Sequence, residues 1–472
     1  MPYELYTQKK SSGESPFRNL VYLKLFSAQV IALTGTGLST IALALLAYDL
    51  AEGNAGEVLG IALALKMVAY VLIAPAVGGM AHLLPRKSLM ITMDVVRAVL
   101  VLLLPFVDAV WQIYTLIFLI NACAAAFKPI YQAIIPDVLP YQKDYTKALS
   151  MFRIAYDMEN ILSPTLAALL LTFWTFDGLF TLNSVAFLIS ALLIFITQVP
   201  VAATSERSSA VLPNLLFGIS SYLKTPRLRG LLALYVGVAA ASSMVIVNTV
   251  VYVRSQLGGS DVETAQAMLA VGVGSVAAAL LLPRLLVNHS DRKVMIAGGW
   301  LLCISLAFGM TEPGFMGLLG LWFLIGLGLS MAQTPSGRLI TASCRPGDRT
   351  AFFSANFSLS HGCWFIGYLL AGFMGSVFGL TTTFAILACL VFLATVTAQR
   401  IWPLETNEEH EHLHDPIEHE HAHVHDEHHQ HEHAPGDELA VDDPLHVHQH
   451  DHPTIRHKHQ FVIDIHHLKW PD

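Results

Sequence analysis

Histidine recurs at every second position along much of the C-terminal end of this chain. His410, His412 and His414 alternate with Glu409, Glu411 and Asp415, and His419, His421, His423 and His425 alternate likewise. His428, His429, His431 and His433 follow, then His446, His448, His450 and His452, so that 19 of the 22 histidines lie between His410 and His467. Imidazole suits Ni²⁺, Cu²⁺, Zn²⁺ and Co²⁺, and near neutral pH most of these rings are neutral and able to ligate. Interleaved carboxylates lower the charge cost of gathering a cation. A segment this polar is expected to stay disordered, because it cannot bury enough surface to fold alone. Flexible imidazole clusters follow the Irving–Williams order, so the tail by itself does not choose nickel over zinc or copper. It does point to transition-metal handling.

A second set of chemically capable residues lies inside apolar runs, where an ionisable side chain is costly and marks a pathway or a partner. Asp157, Glu159 and Asn160 fall midway along one such run, and His361 falls midway along another, with Ser358 and Cys363 close by. At 100° per residue Arg153, Asp157 and Asn160 share one stripe, whereas Tyr156, Glu159 and Ser163 share a different one. The two acids are therefore not expected to line one cavity. A carboxylate out of water favours its neutral form, so it can take up a proton once a metal leaves. The simpler reading is a buried ion pair, with Arg153 one turn from Asp157, and that reading is the stronger one for Asp157. Glu159 is the expected transport acid. His361 is read either as a ligand or proton acceptor, or as a hydrogen-bonded packing residue. Lys66, Asn121, Gln132, Asn248 and Gln333 are expected to serve mainly as interhelical hydrogen-bonding groups.

The elements that must position these residues are membrane spans. The chain has 54% hydrophobic and only 13% charged residues, against about a quarter charged for a soluble domain. Apolar runs of about 20 residues give twelve spans, near 20–48, 58–81, 88–107, 111–134, 146–172, 178–198, 229–253, 264–286, 294–310, 315–340, 352–378 and 382–401. With the N-terminus inside, 21 of the 24 Lys/Arg before the tail, Lys128 and Arg153 among them, fall at the cytosolic side, as the positive-inside rule requires. Both termini, and so the histidine tail, are then cytosolic. The expected fold class is an all-α membrane protein with two pseudo-symmetric six-helix halves, 1–199 and 229–404. A cytosolic linker, 200–228, carries a surface helix near 214–223, and the tail is 405–472.

Charge divides in the same way. From Glu405 onward 17 acids face three bases, and the preceding body has 18 acids and 24 bases, giving −14 and +6 out of the net −8. An acidic tail excludes nucleic acid as its partner and suits cations. The five cysteines form no CxxC, so no disulfide framework or thiolate zinc site is expected. No GxxxxGK[ST] motif occurs, and no nucleophile–base pair or cofactor fingerprint appears. A secondary transporter without a bound cofactor, and not an enzyme, is the expectation. The first apolar run extends far past a signal-peptide core and is expected to remain as the first span.

Six plus six spans with basic clusters after spans two and eight resemble the major facilitator superfamily. Its loop signature is altered here to Gly78-Gly79-Met80-Ala81-His82-Leu83-Leu84-Pro85-Arg86-Lys87, with His82 where an acid is expected and Pro85 where the second Gly is expected. Asp94 and Arg97 match the extended part of that signature. Phe127-Lys128-Pro129 and Ala133-Ile134-Ile135-Pro136-Asp137 resemble the macrolide-efflux-like branch. The segments 155–164 and 357–364, with the tail, are similar to bacterial nickel-resistance permeases. That resemblance implies efflux of Ni²⁺, and secondarily Co²⁺, across the bacterial inner membrane in exchange for protons. It implies alternating access about Glu159, Asp157, Asn160, His361, Ser358 and Cys363, and gating by Gly78, His82, Arg86, Lys87, Asp94 and Arg97. Ni²⁺ would be both substrate and tail ligand, the lipid bilayer the surroundings, and the carrier a monomer. Two rival expectations are an exporter of organic compounds with an incidental tail, and a membrane-tethered metal buffer or sensor.

Overall fold

The computed structural model describes residues 15–50, 55–81, 83–202, 214, 216–404 and four tail segments, 409–413, 417–423, 446–452 and 456–460. The first half contains α1 (Leu20–Leu50), α2 (Ala55–Met80), α3 (Arg86–Leu102), α4 (Val110–Val138), α5 (Gln142–Leu170) and α6 (Phe176–Phe195). A short helix α7 (Phe217–Lys224) precedes the second half, which holds α8 (Pro226–Val251), α9 (Asp261–Asn288), α10 (Asp291–Gly309), α11 (Phe315–Gln333), α12 (Ser336–Thr341) and α13 (Arg349–Ile401).

Most of these helices are apolar on every side. In α6, Leu179 and Phe187 are buried, yet Leu188, Leu192 and Phe195 are exposed, the pattern of helices facing lipid rather than water. Among the described residues ten helical stretches are long and apolar enough to cross a membrane. α5 is not one of them: Lys143, Asp144, Lys147, Arg153, Asp157 and Glu159 punctuate it. α13 contains a break at Gly379 (φ 79°, ψ 169°), a conformation nearly reserved for glycine, which divides it into 349–378 and 380–401.

α1 packs on α6, α3 on α6 and α2 on α4; α8 packs on α13, α9 and α10 on α11. Trp322 anchors the second half, its indole N–H donating to Thr249 Oγ1 at 2.8 Å with Phe384 edge-on. The halves meet chiefly where α2 and α4 face α13 and where α5 faces α9. Gly78 lets α2 approach α13, since a Cβ there would lie 2.6 Å from Ser354 Cβ.

Two expectations are revised. The linker helix expected at the surface is docked on its half: Tyr222 is buried and donates to Asn356 Oδ1 at 3.0 Å, tying α7 to α13. The tail, expected to be disordered, is paired wherever it is described. β1 (Glu409–Leu413) runs antiparallel to β4 (Arg456–Gln460), and β2 (Ile417–His423) to β3 (His446–His452). The alternation read as a set of metal-binding imidazoles is also the period of a strand. Register sets His419 opposite His450, His421 opposite His448, His423 opposite His446, His410 opposite His459 and His412 opposite His457. His414, His425, His428, His429, His431 and His433 lie outside the described residues.

Candidate functional site

Four helices bring ionisable groups to one layer between the halves. Measured at 1.5 Å per residue from the same end of the bundle, Lys128 is ~15 Å inside α4, His361 ~18 Å inside α13, Lys66 ~21 Å inside α2 and Glu159 ~26 Å inside α5. That end carries Arg86, Asp137 and Arg349. All four depths fall within a hydrocarbon core of about 30 Å.

Tyr70 is the hub of the layer. The Lys128 ammonium lies 3.5 Å from its hydroxyl and 5.2 Å from its ring centre, and the Lys66 ammonium lies 5.8 Å from the same ring. The ring also stands edge-on to His361 at 4.8 Å, so it joins the first half to the second. Phe357 and Trp364 complete an aromatic box around the imidazole, at 4.1 and 5.1 Å. His361 Nδ1 is 2.7 Å from the Phe357 carbonyl. A carbonyl only accepts, so Nδ1 carries the proton and Nε2 keeps a lone pair. Glu159 lies in the field of Lys128 and Lys66, as does His361. It reaches this position because α1 has no side chain at Gly37, where a Cβ would sit 3.2 Å from Glu159 Cγ and 2.6 Å from Ser163 Cβ.

The remaining sequence candidates are placed elsewhere. Asp157 is buried and accepts from Arg153 Nε at 3.1 Å, while the same nitrogen donates to Ser275 Oγ of α9 at 2.8 Å. Ser358 Oγ donates to the Val71 carbonyl at 2.7 Å, a bond between halves that occupies its hydroxyl. Cys363 is a half-buried free thiol. The side chain of Asn160 and all of His82 lie outside the described residues. Asp94 and Arg97 pair inside the first half, with Ser190 donating to Asp94 at 2.7 Å and the Arg97 guanidinium over Phe187 at 4.3 Å. Lys87 covers the Phe195 ring at 5.6 Å.

At the basic end the halves are bolted together. Arg86 donates to Asp137 at 2.8 Å, and Arg349 of α13 takes the other oxygen of the same carboxylate. Arg338 bonds Asp291 at 3.2 Å within its half and Thr146 of α5 across it at 2.8 Å. So the altered loop signature still places Arg86 in a contact between halves.

Two residues counted as cytosolic bases are corrected. Lys128 belongs to the central layer because α4 runs through Pro129 and Pro136 to Val138, as membrane helices tolerate. Arg153 is held inside the bundle by Asp157 and Ser275. The positions of Lys66 and Lys128 within apolar runs were the available signal. Their convergence on Tyr70 was not readable from spacing. Among the described residues no group of three or more His, Cys, Asp or Glu is gathered that could hold a metal ion.

Apolar helices long enough to cross a membrane, arranged in two docked halves with ionisable groups between them, mark a multi-pass membrane protein. The model of the Major Facilitator Superfamily matches residues 25–288 and again 231–425, and the chain belongs to that family. Macrolide efflux protein A of Streptococcus pyogenes is 21% identical over 394 residues, covering 81% of this chain and 96% of that protein. The uncharacterized MFS-type transporter YfiS of Bacillus subtilis (strain 168) is 23% identical over 339 residues, 68% of this chain and 79% of YfiS. The fold is shared with the human organic anion transporter MFSD10 (TM-score 0.71, 15% identity, 82% of this chain and 100% of that one). It is shared too with a bacterial homologue of the iron transporter ferroportin in its outward-facing state (TM-score 0.66, 14% identity, 81% and 99%).

Proposed function

We propose that the chain is a secondary active exporter of a divalent transition metal, Ni²⁺ first and Co²⁺ second, from the cytosol across the bacterial inner membrane in exchange for protons. The observation that carries this reading is the joining of an efflux-type body to a tail with 19 histidines. Cross-strand registers such as His419–His450 and His421–His448 support it, because they set histidine positions opposite one another along the paired strands. In this reading α5 and the two parts of α13 complete twelve spans, both termini are cytosolic, and the monomer works alone. The tail gathers metal beside the basic end, and Glu159 with His361 Nε2 receives it in the central layer. Protons entering along the membrane potential, about 2.3 kcal/mol per charge per 100 mV, then reload that layer and drive return. The bolt around Asp137 closes the cytosolic end during release.

Uptake of ⁶³Ni²⁺ and ⁶⁵Zn²⁺ into inside-out vesicles energised by a proton gradient tests this directly. Wild type is expected to accumulate ⁶³Ni²⁺, and Glu159→Gln and His361→Ala to lose at least tenfold. Wild-type vesicles that accumulate no metal would sink the proposal. Removal of 405–472 is expected to leave vesicle uptake in place while lowering metal tolerance of cells. Tolerance retained by the tail alone would instead mark a metal buffer.

A second reading has its own observation. Lys66 and Lys128 make the central layer cationic, which suits an organic substrate bearing negative charge, and relatives of this chain include macrolide efflux protein A. Export of organic compounds in exchange for protons would show as drug tolerance that outlasts deletion of the tail.

A further inference from the structure

We infer that Lys66 and Lys128 form an anion station, at which a small polycarboxylate chelator of the exported metal is held as the two cross the membrane together. This inference rests on the metal-efflux reading and names the form in which its substrate travels.

Three facts about the central layer carry it. First, among the described residues neither Lys66 nor Lys128 has an ion-pair partner, whereas four arginines inside the bundle do. Arg97 has Asp94, Arg153 has Asp157, and Arg86 and Arg349 share Asp137. An ammonium at mid-bilayer depth is costly unless something answers its charge. Aromatic faces answer only part of it: both ammoniums lean on Tyr70, Lys128 also on Phe357 at 5.9 Å, and a cation–π contact is weaker than an ion pair in such a place.

Second, the formal charge of the layer is +1: two ammoniums against the single Glu159 carboxylate in their field, with His361 neutral as Nδ1–H. A bare divalent ion would raise that to +3 where little water screens it. A Ni²⁺–tricarboxylate complex carries +2 − 3 = −1 and would bring the layer to zero.

Third, the protein is short of donors. Glu159 and His361 Nε2 supply two, Ser358 is already committed to Val71, and no cluster of three candidate ligands exists among the described residues. Borderline divalent ions such as Ni²⁺ and Co²⁺ take up to six ligands, in which carboxylate and imidazole mix readily. A chelating carboxylate fills the remaining positions and meets the two ammoniums with its outer oxygens. Lysine suits that task as a compact point charge with three rotatable donors.

The test uses inside-out vesicles containing the full chain, a proton gradient, and either ⁶³NiCl₂ alone or ⁶³Ni²⁺ premixed with [¹⁴C]citrate. The expected result is uptake of both labels in roughly equal amounts, at least tenfold faster for ⁶³Ni²⁺ with citrate than without. Lys66→Gln/Lys128→Gln is expected to lose that stimulation, and Lys66→Arg/Lys128→Arg to keep most of it. Excess unlabelled tricarballylate, which needs no variant, is expected to compete in wild type. Equal ⁶³Ni²⁺ uptake with and without citrate, or ¹⁴C left outside while ⁶³Ni²⁺ enters, overturns the anion station and leaves metal efflux standing. No ⁶³Ni²⁺ uptake in either form overturns both.

Discussion

Asp157 and Glu159 sit two residues apart on one helix, and their surroundings have little in common. Asp157 is closed into a contact of α5 with α9, with Arg153 and Ser275 filling its hydrogen-bonding positions. Glu159 looks the other way, past Gly37, toward two ammoniums that nothing described pairs with. One acid has spent its charge on holding the halves together. The other keeps its charge available. The same contrast separates Asp137, shared by two guanidiniums at the basic end, from the unpaired lysines of the centre. Transport by rocking halves needs both kinds of site, because contacts between halves must form and break while the substrate layer stays open to exchange.

The comparison breaks most visibly at Asp137. Asp137→Ala removes the carboxylate that the buried Arg86 and Arg349 share, and a cost on the order of 3–5 kcal/mol is expected. Thermal unfolding of the purified protein should fall by several degrees, and unchanged melting would show that the bolt is dispensable. Asp157→Asn should act in the same sense with less force, about 1–3 kcal/mol, while uptake in folded protein falls less than threefold. Glu159→Gln sharpens the contrast: melting should stay near wild type although uptake falls at least tenfold. Were Asp157→Asn to abolish uptake with its stability intact, the assignment of the two acids would have to be exchanged. Filling the gap that seats Glu159, by Gly37→Ala, should cost about 1–3 kcal/mol through overpacking on Ser163. It should impair uptake more than an alanine elsewhere on α1. The smallest effect is expected from Ser358→Ala, which removes one bond to the Val71 carbonyl, about 1 kcal/mol. Uptake assayed beside a melting curve checks that its hydroxyl is structural and not a metal ligand.

Much of the body is legible in the sequence. Apolar runs mark helices because the bilayer demands satisfied backbone over a fixed thickness, and titratable residues inside such runs stand out because they are expensive. Asp157, Glu159 and His361 were found in that way, and the placing of the two acids on separate stripes follows from helical periodicity alone. Lys128 was misplaced because it was counted with the bases at the cytosolic side although the span 111–134 contains it, and α4 continues ten residues beyond it. The pairing of the tail went unread for a related reason. Alternating His and acid fit a strand as well as a coil, and the partners of β2 lie in β3, across 22 intervening residues outside the description.

Sequence by itself determined that this is a membrane-embedded helical carrier, which residues carry chemistry, and that imidazoles crowd its C-terminal end. Those properties follow from local composition and period. Only the tertiary structure decided who meets whom. Arg153 reaches Ser275 across 122 residues, Arg349 reaches Asp137 across 212, and Tyr70 stands between His361 and two lysines. Helix packing sets such encounters, and packing depends on shape summed over many side chains rather than on any short stretch of chain.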